Sequence, residues 1–171
     1  MKQSAYTTPS GKRINDFYTI ERADYIMIVP ITVDNKFVLV QQYRHGVDRE
    51  ILNFTAGFCE RGENALKTAK RELHEETGYV AQRITKLGTF LSKPPIMKTK
   101  FTIYLAEGCT KKTSIQGSDT DEIENIKLYS SKRVESLIKR SKLNDANSVL
   151  AYLLARDKLN RGLPRSAGRG R

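Results

Sequence analysis

The sequence has little of what secreted, membrane-spanning or disulfide-built proteins rely on. Its 171 residues include two cysteines, five prolines and no tryptophan. Cys59 and Cys109 are too few for a disulfide framework, and their separation does not match a metal-binding pair. The longest mainly apolar run, at 25–33, contains Pro30 and is far shorter than the ~20 residues that cross a bilayer. The N-terminus has no apolar segment of the secretory kind, so we expect a cytoplasmic protein with no membrane partner.

Acidic residues are also scarce. The chain has 19 Asp and Glu against 30 Lys and Arg, which gives a formal net charge of +11. Five basic residues and no acidic residue fall in 158–171, among Gly, Ser and Pro. We therefore expect one domain over 1–157, with an N-terminal extension at about 1–24, and a disordered basic tail at 158–171. The tail is interpreted as a solvated terminus, with nucleic-acid contact as the alternative.

The hydrophobic and turn patterns predict alternating strands and helices. β-branched and aromatic residues predict strands, Gly, Pro and Asn mark turns, and apolar residues at helical spacing predict helices. This order is typical of an α/β domain with a mixed sheet between helical layers. The predicted strands are 25–33, 37–43, 85–91, 101–106 and 123–129, the helices are 63–77, 132–139 and 145–158, and two short extended segments flank a turn at 9–12.

The first predicted helix carries three carboxylates on one arc. Glu72, Glu75 and Glu76 stand at i, i+3 and i+4, and like charges at this spacing repel each other. A neighbouring Arg or a bound cation is the usual compensation, and ligation by oxygen alone suits Mg²⁺ or Mn²⁺. The adjoining arc, Leu66, Ala69 and Leu73, is predicted to face the core. A solvated acidic helix face is the alternative for the triplet alone.

The wider segment makes the metal interpretation specific. From Gly57 to Tyr79 it has the form G-x5-E-x7-R-E-L-x-E-E-x-G-Y, and every defining position is filled. This resembles the signature of the Nudix hydrolases. The resemblance implies an α/β/α sandwich with a short N-terminal β extension, and hydrolysis of nucleoside diphosphates linked to another moiety. It also implies two or three Mg²⁺ or Mn²⁺ ions.

The resemblance also implies roles for individual residues. Carboxylates of the helix would bind the metals, the Arg beside them would hold the cluster through ion pairs, and glycines would allow the turns around the helix. The implied metal ligands are Glu72, Glu76, Glu75 and the backbone carbonyl of Ala56, with Arg71 and Glu76 in the catalytic set, Glu63 orienting Arg71, and Gly57 beside the substrate.

Segments outside the signature are similar to the ADP-ribose pyrophosphatase and nucleoside-diphosphate-sugar hydrolase branch. In that branch an Arg at the position of Arg44 contacts the diphosphate, and a Pro at the position of Pro94 or Pro95 follows the signature. The branch usually has Glu-x-Pro-Ala-Gly before the signature, whereas this chain has Asn53 and Thr55 in place of the Glu and the Pro. We expect a nucleoside diphosphate sugar as substrate. A strand-end salt bridge is the alternative for Arg44, and an ordinary turn is the alternative for Pro94.

The resemblance places the acid/base on a loop before the last strand and the base pocket at the N-terminus. Glu122 is the first choice, followed by Glu124 and Asp121, with a solvated acidic loop as the alternative. In the branch, the N-terminal extension forms a domain-swapped homodimer and contributes to the base pocket. Aromatic candidates for that pocket are Tyr6, Phe17, Tyr18 and Tyr25, for which burial in the core or in an interface is favoured.

Other functions stay open at this point. Other Nudix substrates, such as GDP-mannose, dinucleoside polyphosphates or capped RNA, share the metal helix. A different class would be an ADP-ribose-sensing regulator that binds nucleic acid. The intact signature favours the enzyme, and no helix-turn-helix or RNA-stacking motif is visible.

Overall fold

The computed structural model describes residues 1–112 and 123–162. Strands come first, one helix lies between strands, and two helices end the described chain. The strands are β1 (Lys2–Thr7), β2 (Arg13–Thr19), β3 (Tyr25–Thr32), β4 (Phe37–Arg44), β5 (Arg49–Asn53), β6 (Ala56–Phe58), β7 (Tyr79–Val80), β8 (Arg83–Leu91), β9 (Lys100–Lys111) and β10 (Ile123–Tyr129), and the helices are α1 (Ala65–Thr77), α2 (Ser131–Lys139) and α3 (Ala146–Gly162).

The main sheet is built around β3. This strand pairs antiparallel with β4, where Ile31 lies opposite Phe37, and parallel with β9, where Ile26 lies opposite Thr102. Strand β10 follows beyond β4, and the short strands β5, β6, β7 and β8 add to β4, β3 and β9. The sheet is therefore mixed, which confirms the predicted fold class.

Strand β3 is buried on both faces, because its alternate side chains pack against different helices. Ile26 and Ile28 pack in one cluster with Ala69 and Leu73 of α1. Met27, Val29 and Ile31 belong to the opposite cluster, which includes residues of α2 and α3. A strand buried on both faces reads as a continuous apolar run, as 25–33 does. The result is the predicted α/β/α sandwich.

Helix α1 has defined ends. The Asn64 side chain accepts a hydrogen bond from the Lys67 amide at 2.8 Å, and Gly78 ends the helix with φ of 71°. A left-handed residue after the last turn favours glycine, so the sequence located this end correctly. One core position was predicted wrongly: Leu66 is 39% exposed, and Thr68 is buried instead.

Helix α3 begins as the sequence indicates and ends later. The Asp145 carboxylate accepts from the Ser148 amide at 2.8 Å and caps the helix. The helix continues to Gly162, so 158–162 are helical and the expected tail boundary at 158 is wrong. The physical reason is that Leu159 still packs against the core, so the chain gains by staying helical. None of the helices in the described ranges is long and apolar enough to cross a membrane.

The N-terminal extension is a two-stranded hairpin beside the main sheet. Strands β1 and β2 pair antiparallel across the expected turn, where the Gly11 amide donates to the Thr8 carbonyl at 2.9 Å. Most hairpin side chains are exposed, and Tyr6 packs edge-on against Phe17 at 5.1 Å between ring centroids. The Ile20 amide, which follows β2, donates to the Ile96 carbonyl at 2.9 Å. This confirms the short N-terminal β extension.

One buried hydrogen bond connects α3 to the segment that leads into β6. The Phe54 amide donates to the Ser148 hydroxyl at 3.1 Å, and both residues are fully buried. We expect Ser148→Ala to lower the free energy of unfolding by about 1–3 kcal/mol, because the amide keeps its burial and loses its acceptor. Urea denaturation measures this, with the exposed Ser10→Ala as control. Equal stability of the two variants would contradict the importance of this contact.

Candidate active site

The face of the sheet beneath the C-terminal half of α1 is polar. Gln42 and Asn53 are only 3% and 4% exposed, and Thr55 is fully buried. Asn53 lies opposite Val40 in the pairing of β5 with β4, so its side chain shares a face with those of Val40 and Gln42. Buried polar side chains on an otherwise apolar sheet face cost free energy unless they have partners. Their position under an acidic helix marks this face as a candidate site.

Gly57 brings strand β6 into close contact with α1. A Cβ atom added to Gly57 would stand 2.0 Å from both Cδ and Oε1 of Glu72. That is far inside any normal contact distance, so no larger residue fits unless Glu72 moves. The Glu72 carboxyl group therefore lies directly against the strand, and its side chain is only 13% exposed.

The backbone of Ala56 is oriented away from β3. On either side of it, the Ile28 amide donates to the Thr55 carbonyl, and the Cys59 amide donates to the Asp24 carbonyl, each at 2.9 Å. Hydrogen-bonded positions alternate along an antiparallel pair. Thr55 and Cys59 therefore fix a pattern in which the carbonyl of Ala56 points out of the ladder.

Arg71 holds three carboxylates around one guanidinium group. Its Nη1 lies 2.8 Å from Glu72 Oε1 and 2.8 Å from Glu75 Oε2, and its Nη2 lies 3.2 Å from Glu63 Oε2. The hydrogen bond from Arg71 lowers the pKa of Glu63, and the bond to Glu63 is the main cause that raises the pKa of Arg71. All four groups are therefore charged at neutral pH. The expected roles of Arg71 in holding the cluster, and of Glu63 in orienting Arg71, agree with this geometry.

Glu76 differs from the other carboxylates of the helix. Its Oε2 atom is buried without a hydrogen-bond partner, and so is the hydroxyl of Thr55. Burial raises the pKa of Glu76 to about 8, the charge of Glu72 raises it further, and Thr55, Arg44 and Gln42 partly counteract this. A carboxylate kept in this environment has a strong electrostatic demand for a cation.

The donor set fits a hard divalent cation. Within 1–112 and 123–162, no three acidic, histidine or cysteine side chains converge as a ready-made metal site, and Arg71 balances Glu72 and Glu75 instead. The groups nearby are nonetheless oxygen donors: the unpartnered Glu76 Oε2, the Glu72 carboxylate and the outward Ala56 carbonyl. Oxygen-only donors are those that Mg²⁺ and Mn²⁺ prefer.

Arg44 lies on the same sheet face as this polar set. It ends β4 two residues after Gln42, and side chains two apart on a strand share a face. Its charge acts on Glu76, lowering that pKa. The Asn53 amide oxygen accepts from Arg44 Nη2 at 3.3 Å in the orientation that satisfies the local hydrogen bonds. The structure therefore brings Arg44 to the acidic end of α1.

Pro94 lies at a neighbouring cavity rather than against the carboxylates. This cavity has a volume of about 480 Å³, and Pro94 and Phe17 are among its lining residues. Arg22 also lines it, and its guanidinium carbon lies 4.7 Å from the ring centroid of Phe58, the residue after Gly57. The cavity therefore adjoins β6. Of the other aromatic candidates, Tyr25 stacks on Phe101 in the partly buried core.

The expected acid/base lies outside these contacts. Glu122 and Asp121 lie outside the described residues. Glu124 belongs to β10, the strand that pairs with β4 next to Gln41 and Gln42.

Sequence reasoning missed part of the site. Gln42 was not considered, and Asn53 and Thr55 were noted only as departures from a pattern. The spacing of Gln42 and Arg44 on one strand was a usable signal, because it predicts a shared face. The strands β5 and β6 were also missed, because β5 begins with two charged residues and β6 has three residues with a glycine at its centre.

The fold and this site define a class of enzyme that binds a divalent cation through oxygen ligands on a helix beneath which a glycine strand passes. The sequence matches the family described as the NUDIX domain over residues 21–152, and the chain belongs to that family. It is a Nudix hydrolase, and hydrolases of this family use divalent cations such as Mg²⁺.

Relatives and solved structures agree with this assignment. The chain is 33% identical over 136 residues to the methanol dehydrogenase activator of Bacillus methanolicus, covering 78% of this chain and 74% of that protein. It is 29% identical over 153 residues to the ADP-ribose pyrophosphatase of Bacillus subtilis (strain 168), covering 88% and 82%. It superimposes on the crystal structure of an ADP compounds hydrolase with a TM-score of 0.77 at 26% identity, covering 92% and 84%.

The contact at Gly57 predicts a selective defect. Gly57→Ala places a methyl group where the Glu72 carboxyl group lies, so Glu72 must leave its position while the rest of the sheet stays intact. We expect a far-ultraviolet circular dichroism spectrum like that of the wild type, and loss of the rise in melting temperature that Mg²⁺ produces. Gly46→Ala is the control, because a Cβ atom there meets nothing within 4 Å. Normal Mg²⁺ stabilisation of Gly57→Ala would contradict the role of this contact.

The raised pKa of Glu76 predicts a pH-dependent stability in chelator-treated protein. The folded state keeps a proton on Glu76 up to about pH 8, whereas the unfolded chain releases it near the ordinary pKa of 4.5. The free energy of unfolding therefore falls by a few kcal/mol as the pH rises through this window. Glu76→Gln removes this decrease and is expected to be more stable than the wild type at pH 8. Parallel curves for the two proteins, measured by denaturation in EDTA, would contradict the burial effect.

Proposed function

We propose that the chain hydrolyses the diphosphate bond of ADP-ribose or a related nucleoside diphosphate sugar, releasing a nucleoside monophosphate and a sugar phosphate. The observation that carries the proposal is the buried, unpartnered Glu76 Oε2 beside Glu72, within an intact family signature. The similarity to proteins named for ADP-ribose and ADP compounds supports this substrate class.

The metal ligands we propose are Glu72, Glu76, Glu75 and the carbonyl of Ala56, for two or three Mg²⁺ or Mn²⁺ ions. Such ions, when bound, supply positive charge to the diphosphate and lower the pKa of water. Arg71 keeps Glu72 and Glu75 ionised and aligned, since it contacts both at 2.8 Å. The close approach at Gly57 fixes where the Glu72 carboxyl group lies.

Arg44 is proposed to bind the diphosphate. Its guanidinium group offers a planar fork of donors that matches phosphate oxygens. It lies on the polar sheet face and its charge acts on Glu76, so a phosphate bound there would be near both. Charge that develops on the phosphorus oxygens during water attack would be stabilised by this guanidinium group.

A carboxylate from the segment before β10 is proposed to orient or deprotonate the attacking water. Glu122 is the first choice and Glu124 the second. We expect Glu122→Gln to lower kcat by about 10²–10⁴-fold with little change in KM, because general base catalysis contributes that much. Steady-state kinetics with ADP-ribose at saturating Mg²⁺ measure this, and Asp157→Asn on α3 is the matched control. A full kcat in both Glu122→Gln and Glu124→Gln would exclude this segment as the source of the base.

The base pocket and the homodimer are proposed to involve the N-terminal hairpin. Hairpin residue Phe17 and loop residue Pro94 line the same cavity, which adjoins β6. Tyr6 and Tyr18 of the hairpin are 44% and 48% exposed, a feature typical of aromatic side chains that meet a partner surface. Location in the cytoplasm and a solvated C-terminal tail, with nucleic-acid contact as the less favoured role, complete the proposal.

Product analysis tests the proposed function. Purified protein with Mg²⁺ and ADP-ribose should yield AMP and ribose 5-phosphate by chromatography, and Glu76→Gln should yield neither. The panel also includes GDP-mannose, dinucleoside polyphosphates and capped RNA. Turnover of another member alone would replace the substrate, whereas binding of ADP-ribose by folded protein without turnover of anything would favour a sensor.

A further inference from the structure

The side chain of Asn53 joins the backbone of β4 to the proposed phosphate-binding residue. Its Nδ2 donates to the Val40 carbonyl at 3.2 Å, and its Oδ1 accepts from Arg44 Nη2 at 3.3 Å. Asn53 is only 4% exposed, so solvent cannot replace either contact. A side chain held at one end by the strand fixes the position of the group at its other end.

The charge of this side chain matters as much as its position. Gln42, Asn53 and Thr55 form a buried sheet face of neutral groups beneath α1. Asn53 accepts from the Arg44 guanidinium group without contributing a negative charge. A carboxylate at position 53 would both attract the guanidinium group and add repulsion toward the anionic diphosphate.

We propose that Asn53 is a positioning residue for Arg44: its neutral amide oxygen orients the guanidinium group and leaves the positive charge of that group for the diphosphate of the substrate. This inference rests on the proposed function. It predicts that position 53 acts on substrate affinity through Arg44 and leaves the chemical step nearly unchanged.

Two substitutions separate orientation from charge. Asn53→Leu keeps the size and removes the acceptor, so Arg44 is no longer oriented. Asn53→Asp keeps the size and the acceptor and adds the negative charge. Both are expected to raise KM for ADP-ribose about tenfold, as loss of a hydrogen bond or charge contact to a charged group does, with kcat within about threefold. Asn160→Asp, an exposed change of the same chemistry on α3, should have wild-type kinetics.

A double-mutant cycle shows whether the effect passes through Arg44. In an Arg44→Met background, neither substitution at 53 should raise KM further, because the group that Asn53 positions is gone. The same factor in both backgrounds, or an unchanged KM in both single variants, would overturn the inference. A merely structural role would instead lower the melting temperature and kcat together.

A binding measurement keeps this result separate from the proposed function. Calorimetry with inorganic pyrophosphate in EDTA needs no turnover, and the two variants at position 53 should bind it about tenfold more weakly than the wild type does. If the wild type fails to hydrolyse ADP-ribose but shows this difference, the proposed function fails and the role of Asn53 stands. If the wild type is active and the difference is absent, the role of Asn53 fails.

Discussion

The site depends on one costly feature, a carboxylate buried without a hydrogen-bond partner. Glu76 Oε2 is enclosed between α1 and the sheet, and burial together with the charge of Glu72 raises the pKa of Glu76 to about 8. A fold that needed only stability would place an apolar residue or a partner there. The surrounding Thr55 and Gln42 favour the charged form only in part. The cost makes sense if a divalent cation completes the site, because folding then prepares the binding of the cation.

The rest of the site keeps that carboxylate in place. Asn64 and Gly78 define the two ends of α1, and the apolar arc of the helix packs on β3, so the acidic arc lies over β6. Gly57 then permits a contact that any side chain would block. Arg71 balances Glu72 and Glu75, which would otherwise repel each other along the helix. Local helix signals, packing and electrostatics thus support the same arrangement.

The sequence predicted this part of the protein well because local rules determine it. The spacing of Glu72, Glu75 and Glu76 fixes their shared arc, and the continuous apolar run at 25–33 fixes a strand buried on both faces. The polar face of Gln42, Asn53 and Thr55 depends on the register between strands, which no local pattern specifies. Leu66 and the end of α3 were wrong for a related reason, since their environment depends on which other elements pack against them.

The most direct test of the central claim is the affinity for Mn²⁺, measured by the loss of the free-ion electron paramagnetic resonance signal at pH 7.5. Wild-type protein, Glu76→Gln and the distant control Asp157→Asn would be titrated in parallel. The account predicts binding by the wild type and the control, and at least about tenfold weaker binding by Glu76→Gln. Equal Mn²⁺ affinity in all three proteins would contradict it, because the buried carboxylate would then have no part in holding the cation.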